Sequence, residues 1–347
     1  MEVDYFVVGL GLAGVAFCEE LRQANKSFLV FDNNSQQASM VAAGMYNPVI
    51  LKRFTEVWMA KEQLAIAKPY YKELERLLNV KLDYTIKLYR RFASIEEQNL
   101  WFTASDKPNL EPYLSTKLVS NSNPHIDAPY NLGEVFEAGR VDTTALISNY
   151  NSYLKNHSQL VTDGFKHELL QLDGEKLQYQ NHEANHIVFC EGFGLKQNPY
   201  FNHLPLNGTK GEVLTVNVPD LKIDYALKSG VFIMPNTTED YYVGATYNRF
   251  DKTNTPTDNG KTELITKLNT FLKASLEVTS HKAGVRPTVN DRRPLVGTHL
   301  KYKNLHVLNG LGSRGVMISP YAAKQLFNHI ENKQPLNSEI TINRFRV

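Results

Sequence analysis

The chain of 347 residues is 42% hydrophobic and 21% charged, which is typical of a globular protein and argues against a disordered or fibrous chain. This length allows a large core and about two domains. The formal net charge of +2 favours no polyanionic partner, so it weakens any nucleic-acid hypothesis and leaves room only for a local basic patch.

The N-terminus and the cysteines predict a cytoplasmic protein without a membrane span. Glu2 and Asp4 occupy the positions where a signal peptide carries positive charge. No apolar run approaches the roughly 18 residues that a spanning helix needs. Cys18 and Cys190 each fall in a predicted buried element, as expected for core thiols in a reducing compartment.

A short apolar strand and a glycine-rich turn open the chain. Residues 5–8 suit a buried parallel strand, and the sequence GLGLAG follows before a run with helical spacing. Gly9 would allow a tight turn, Gly11 would let the backbone approach a pyrophosphate, and Gly14 would let helix and strand pack closely. The first helical N–H groups would then face an anion.

A second strand at residues 27–32 supports this interpretation. It ends in Asp32, about 20 positions after the turn, where an acidic residue holds the ribose of a dinucleotide. The two strands and the turn therefore predict a Rossmann-like, dinucleotide-binding domain. The competing interpretation is a glycine turn with only a packing role.

The middle of the chain alternates between helices, loops and short strands. Residues 58–78 predict an amphipathic helix, and residues 84–135 predict proline-rich excursions away from the first sheet. A further helix is predicted at residues 144–154, with Asp142 or Thr143 as N-cap. We interpret a small basic cluster as a solvated strand face rather than as a phosphate site; it consists of Lys87, Arg90 and Arg91.

Residues 182–186, HEANH, match the HExxH zinc pattern by letter. Zinc would need both histidines on one face of a helix, but a polar segment precedes them and a β-branched run follows. We therefore predict a polar hairpin loop and no metal site.

The C-terminal half predicts a second domain and a return to the first. Residues 210–216, 231–234 and 241–243 are strand-like, which indicates an antiparallel, mixed sheet. A strand at residues 305–308 then runs into the loop NGLGSRG. The final helix is predicted to begin with Ser319 as N-cap and Pro320 in its first position.

Four motifs in this order resemble the D-amino-acid oxidase and glycine oxidase (DAO) family of FAD-dependent enzymes, over nearly the whole chain. They are GLGLAG with Asp32, AAGMYNP, PNTTEDYYVGATY, and GVRPTVNDRRPLVG followed by NGLGSRG. The tail is most similar to the FAD oxidase half of the bifunctional tRNA methylaminomethyl-thiouridine biosynthesis protein, which removes a carboxymethyl group from a wobble uridine.

The resemblance implies an α/β (α+β) fold with two domains. A discontinuous Rossmann-like FAD-binding domain would comprise residues 1–80, 138–200 and 284–347. A substrate domain with a mixed antiparallel sheet would comprise residues 81–137 and 201–283.

The resemblance also implies noncovalent FAD, since no cysteine lies near the tail loop. Reduction places negative charge on the flavin, which loop N–H groups and a helix N-terminus would stabilise. The implied contacts are Gly9, Gly11, Leu12, Ala13, Gly14, Asp32 and Asn33 for the ADP part, Cys190 and Gly192 for the adenosine, Ala42, Ala43, Gly44 and Met45 for the flavin ring, and Gly312, Ser313, Arg314, Gly315, Val316 and Met317 for its pyrimidine edge.

Arg286 matches the position that binds the substrate carboxylate in several family members, as a guanidinium fork can do bidentately. The competing interpretation is an ordinary ion pair at a strand end. Phe232 and Tyr247 are the other implied pocket residues, with packing as the alternative for Tyr247. The implied reaction is oxidation of the C–N bond of a small amino acid or N-substituted glycine, such as glycine, sarcosine or a D-amino acid, by hydride transfer to flavin N5.

Two other functions compete with this one. A tRNA-modifying enzyme acting on carboxymethylaminomethyl-uridine is less favoured, and it would need a basic surface. A nicotinamide-dependent reductase would share the opening fold, but the glycine-rich tail from Gly310 argues against it. The candidates for the basic surface are Lys87, Arg90, Arg91, Arg292 and Arg293.

Overall fold

The computed structural model of the chain describes residues 1–174 and 176–345. Its helices are α1 (Leu12–Gln23), α2 (Ala38–Val41), α3 (Ala60–Leu78), α4 (Ile95–Ser105), α5 (Thr143–Asn156), α6 (Asp258–Asn269) and α7 (Gly315–Glu331). Its strands are β1 (Glu2–Val8), β2 (Phe28–Phe31), β3 (Met45–Tyr46), β4 (Val49–Ile50), β5 (Thr55–Glu56), β6 (Asp83–Thr85), β7 (Leu88–Arg91), β8 (Leu114–Val119), β9 (Leu132–Val135), β10 (Gly139–Val141), β11 (Leu160–Val161), β12 (Leu170–Asp173), β13 (Lys176–Tyr179), β14 (His182–Phe189), β15 (Thr209–Asn217), β16 (Ala226–Lys228), β17 (Phe232–Pro235), β18 (Asp240–Gly244), β19 (Glu277–Arg286), β20 (Leu295–Thr298) and β21 (Leu305–Asn309).

The first large sheet contains the N-terminal strand at its centre. Its strand order is β11-β2-β1-β14-β13-β12, and β21 pairs with β14 and β20. β1 runs parallel to both β2 and β14. Both faces of β1 are covered, because Val7 packs with the helices on one side and Phe6 packs in a separate apolar cluster on the other. Double coverage explains the continuous apolar run that the sequence shows here.

The second large sheet has the order β19-β15-β18-β17-β16-β7-β9-β8. Its pairs are antiparallel except for β16 with β7, so it is the mixed sheet that the sequence predicts. Alternation along β15 sends Leu214 and Val216 into the core beneath α6, while Gly211 and Val213 lie on the opposite face. That opposite face is the one that lines the candidate site.

The fold class α/β (α+β) is therefore confirmed, while the division into two domains at particular residues stays a prediction. The predicted boundary at residue 284 falls inside β19, which belongs to the second sheet over its whole length. Among the described residues, no helix is both long and apolar enough to cross a bilayer.

The predicted hairpin loop at residues 182–186 is wrong. His182 begins β14, which pairs antiparallel with β13 and parallel with β1. In a strand, two residues four apart are separated by about 13 Å, too far for one metal ion. Within the described ranges, no group of three His, Cys, Asp or Glu residues could hold a metal.

The predicted start of the last helix at Ser319 is also wrong, because α7 begins at Gly315 and contains Pro320. Proline removes one helical hydrogen bond, which would leave the carbonyl of Val316 without its partner. The hydroxyl of Tyr71 on α3 donates to this carbonyl at 2.7 Å. A contact with a distant helix therefore allows the proline, and the helix N-terminus lies next to the glycine-rich loop.

The interpretation of the basic cluster as a solvated strand face is wrong for two of its three residues. The side chains of Arg90 and Arg91 on β7 are only 14% and 11% exposed. Arg90 pairs with Glu97, and Arg91 pairs with Asp127 at 3.1 Å. Both arginines are therefore engaged within the protein, Arg90 with α4 and Arg91 with the segment between β8 and β9.

Two histidines form a polar contact inside the first sheet. His186 Nδ1 and His306 Nε2 are 3.1 Å apart, and His306 Nδ1 lies 2.8 Å from the hydroxyl of Thr298. Burial lowers the pKa of His306 well below its ordinary value, and burial also lowers the pKa of His186. Both rings are therefore held neutral in the folded protein.

We predict that the free energy of unfolding falls as the pH drops below about 6.5, the ordinary pKa of histidine. There the unfolded chain binds protons that the folded chain does not, and each pH unit in this range costs about 1.4 kcal/mol per histidine. Urea unfolding at a series of pH values measures this. His306→Gln should flatten the pH dependence, whereas His157→Gln, an exposed control, should keep it. Equal pH dependence in all three proteins would contradict the assignment.

Candidate active site

The glycine turn after β1 brings three segments of backbone into close contact. Gly9 has φ +97°, and a Cβ atom there would lie 2.6 Å from the carbonyl oxygen of Cys190. A Cβ atom on Gly14 would lie 2.0 Å from the carbonyl oxygen of Gly9. Only glycine fits at both positions, so α1 packs directly on the end of β1.

Asp32 is held beside this turn at the end of β2. Its Oδ1 accepts from the backbone N–H of Leu10 at 3.0 Å, and its Oδ2 accepts from that of Asn34 at 3.2 Å. Burial raises the pKa of Asp32 above its ordinary value, and these two bonds oppose the rise. The carboxylate is therefore fixed where the sequence places a ribose contact.

A cavity of about 560 Å³ begins at this turn and extends to the second sheet. Every FAD contact implied by the sequence lines it except Gly14, which instead packs against Gly9. The lining residues from that set are Gly9, Gly11, Leu12, Ala13, Asp32, Asn33, Ala42, Ala43, Gly44, Met45, Cys190, Gly192, Gly312, Ser313, Arg314, Gly315, Val316 and Met317.

Two helix N-termini meet at the cavity. Gly11 precedes α1 and Arg314 precedes α7, and neither of these two residues caps its helix with its own side chain. Ser39 Oγ accepts from the first N–H of α1, that of Leu12, at 3.1 Å. Gly312 adopts φ +58°, which turns the loop into α7. Burial lowers the pKa of Arg314 to about 10. The partial positive charges of both helix N-termini would therefore act on an anionic ligand in the cavity.

Arg286, at the end of β19, lines the same cavity. Its guanidinium lies on Gly211 of β15, where a Cβ atom would be 1.9 Å from Nη2. Nη1 donates to the carbonyl of Thr246 at 3.3 Å. Among the described residues no carboxylate pairs with it. Burial lowers the pKa of this guanidinium. The ordinary ion pair considered above is therefore absent from this part of the chain.

The other two predicted pocket residues differ in their placement. Phe232 on β17 lines the cavity, and its ring lies 3.0 Å from where a Cβ atom on Gly244 would be. Tyr247 is 51% exposed and is not among the lining residues. It lies close to Arg286, so it is placed beside the pocket rather than in it.

The lining residues that were missed from the sequence include Gly211 beneath the guanidinium and Lys228 at the end of β16. Gly211 falls in a segment recognised only as an alternating strand. Its role depends on pairing with β19, where it lies opposite Gly284. The strand-pairing register, which spacing in the sequence does not give, is the signal that would have found both residues.

Comparison with known proteins shows the family. A family model described as FAD dependent oxidoreductase matches residues 4–328, so the chain belongs to this family. Glycine oxidase of Bacillus subtilis (strain 168) is 25% identical over 349 residues, covering 94% of this chain and 93% of that protein. The family resemblance drawn from the four motifs is thus confirmed.

A second relative matches only in part. The tRNA 5-methylaminomethyl-2-thiouridine biosynthesis bifunctional protein of Idiomarina loihiensis is 28% identical over 156 residues, which are 42% of this chain and 25% of that protein. Among solved structures, glycine oxidase from Geobacillus kaustophilus superimposes with a TM-score of 0.79 at 18% identity, covering 100% of both chains. This similarity shows the shared fold.

The residues present fit the cofactor of the family, FAD. Glycine-only contacts leave the backbone open for a pyrophosphate, Asp32 is positioned for a ribose, and two helix N-termini face a cavity that Arg286 also lines. We expect the turn at Gly9 to hold the ADP part and the loop at Gly312 to hold the flavin end.

We predict that Gly14→Ala abolishes stable FAD binding, because the added Cβ atom would push α1 away from the Gly9 carbonyl. The flavin-to-protein absorbance ratio after purification and a fluorescence titration with FAD measure the effect. Gly230→Ala is the matched control, since its Cβ atom would meet only side-chain atoms of Lys267 at 3.8 Å or more. Circular dichroism should show both variants folded. Wild-type FAD affinity in Gly14→Ala would contradict the prediction.

Proposed function

We propose that the protein oxidises the C–N bond of a small amino acid or N-substituted glycine, with noncovalently bound FAD as its cofactor. The observation that carries this proposal is the guanidinium of Arg286, which lacks a carboxylate partner among the described residues and lines the same cavity as the glycine turn. Family membership supports the cofactor, and the charge of the cavity supports the substrate class.

Arg286 is the expected carboxylate-binding residue. A desolvated guanidinium without an anion is unfavourable, and burial accordingly lowers its pKa. A substrate carboxylate would supply the missing partner through two parallel hydrogen bonds. Gly211 beneath the guanidinium leaves no space for a side chain, so the fork has a defined position before substrate binds.

The neighbouring side chains would orient the rest of the substrate. Phe232 and Val213 give this end of the cavity an apolar surface, which would exclude water from the reacting carbon. FAD held by the turn at Gly9 and the loop at Gly312 would supply the two-electron oxidation, in which the amine and its carbon lose a hydride and a proton to give an imine that water hydrolyses. Positioning by Arg286 supplies the orientation that such a transfer needs.

The tRNA alternative receives less support from the described residues. It needs a free basic surface, but Arg90 is paired with Glu97 and Arg91 with Asp127. Arg293 pairs with Glu339 at 3.1 Å. Three of the five candidate cations are therefore already engaged, and we keep a small-molecule substrate as the proposal.

The cysteines support two further parts of the proposal. Cys18 and Cys190 are both free and buried, which supports a reducing, cytoplasmic location. Cys190 lines the cavity, but burial raises the pKa of its thiol. A protonated thiol is a poor nucleophile, which supports noncovalent FAD.

We predict that an amino acid or N-substituted glycine bleaches the flavin absorbance band under anaerobic conditions. Glycine, sarcosine, D-alanine and proline are the first compounds to mix with the FAD-loaded protein. Arg286→Gln should keep FAD but slow bleaching roughly a hundredfold or more, since losing one partner of a buried charge pair costs 2–5 kcal/mol.

Arg249→Gln is the control, because Arg249 is exposed and lies three residues after Thr246. It should bleach at the wild-type rate. Bleaching by Arg286→Gln at that rate would contradict the carboxylate-binding assignment. A flavin band that no carboxylate-bearing amine bleaches would contradict the proposed reaction.

A further inference from the structure

Lys228 and Arg286 project from the same face of the second sheet. Lys228 pairs with Phe232, Phe232 with Gly244, and Gly244 with Val213, so the side chains of this row share one face. Gly211, two residues before Val213 on β15, is on that face too, and the guanidinium of Arg286 lies on it. Both cations line the cavity.

The ammonium group of Lys228 makes no hydrogen bond or ion pair with residues 1–174 and 176–345. The charged groups that act on its pKa, Arg90 and Lys267, are both positive. Burial lowers the pKa of Lys228 to about 8. Lys210 on β15 provides the contrast, because this fully buried lysine is paired with Asp251 at 2.5 Å.

An apolar surface separates the two cations. Val213 and the ring of Phe232, which lies over Gly244, occupy the row between them. Gly211 and Lys228 belong to strands three steps apart, about 14 Å between backbones. The lining at this end contains no carboxylate that could neutralise either cation.

We propose that Lys228 binds a second carboxylate of the substrate, so that the preferred substrates are N-carboxyalkyl glycines, secondary amines with a carboxylate at each end. Arg286 binds the carboxylate next to the reacting carbon, and Phe232 contacts the methylenes between. The amine in this substrate class rests on the proposed function. The second carboxylate rests on the unpaired ammonium group of Lys228 at the cavity, among the described residues. Lys228 thereby determines specificity and takes no part in the chemical step.

Binding of unreactive diacids to the FAD-loaded protein tests this without turnover. Isothermal titration calorimetry compares glutarate, adipate and pimelate with valerate, hexanoate and heptanoate, which have the same chain lengths and one carboxylate fewer. At least one diacid should bind about tenfold or more tightly than its matched monoacid, as a charge-assisted pair predicts.

Lys228→Met should remove that preference while leaving monoacid affinity within about twofold, and Lys228→Arg should restore it. Lys87→Met is the charge-matched control, because Lys87 is exposed just before β7 and does not line the cavity. It should keep the preference for diacids.

Equal affinity for diacids and monoacids in the wild-type protein would overturn the inference. A Lys228→Met variant that keeps the diacid preference would also overturn it. So would a Lys228→Met variant that slows flavin bleaching by all amines equally, because that result would indicate the loss of a general base. The proposed function fails separately, if no carboxylate-bearing amine bleaches the flavin even though the preference for diacids is present and depends on Lys228.

Discussion

The close backbone contact among Gly9, Gly14 and Cys190 is the constraint on which the rest of the structure depends. It brings α1 onto the end of β1 and sets the spacing between β1 and β14 at the edge where the cavity begins. α7 packs along α1, and so its N-terminus at Gly315 reaches the same cavity. Two helix dipoles and one carboxylate, Asp32, are thus assembled around the cavity.

The second sheet contributes a different constraint. It places the side chains of Arg286 and Lys228 at the cavity, and among the described residues no carboxylate pairs with either of them. Gly211 makes room for the guanidinium of Arg286, and the register of the strands carries Lys228 to the same face. Elsewhere the chain pairs its buried cations, as with Lys210 and Asp251 or Arg91 and Asp127. Cations that lack such partners and line a cavity are best explained by an anionic ligand.

Local signals explain what could be predicted from the sequence. The Asp142 cap of α5 bonds to Ala145 three positions on, and Asp32 accepts from Leu10 of the glycine turn 22 positions before it, within one strand, helix and strand. The early start of α7 depended instead on Tyr71, which lies 245 positions before Val316. The role of Gly211 and the position of Lys228 likewise depended on strand register. Spacing along one chain carries no information about such distant pairings.

The central claim is that Arg286 binds the substrate carboxylate, and a crystal structure of the FAD-loaded protein with (methylthio)acetate tests it most directly. This compound resembles sarcosine, with sulfur in place of the amine, so it can bind without being oxidised as an amine. We predict that both carboxylate oxygens lie about 2.7–3.2 Å from the guanidinium nitrogens of Arg286. A carboxylate bound elsewhere, or Arg286 paired with an acidic residue of the protein itself, would contradict the claim.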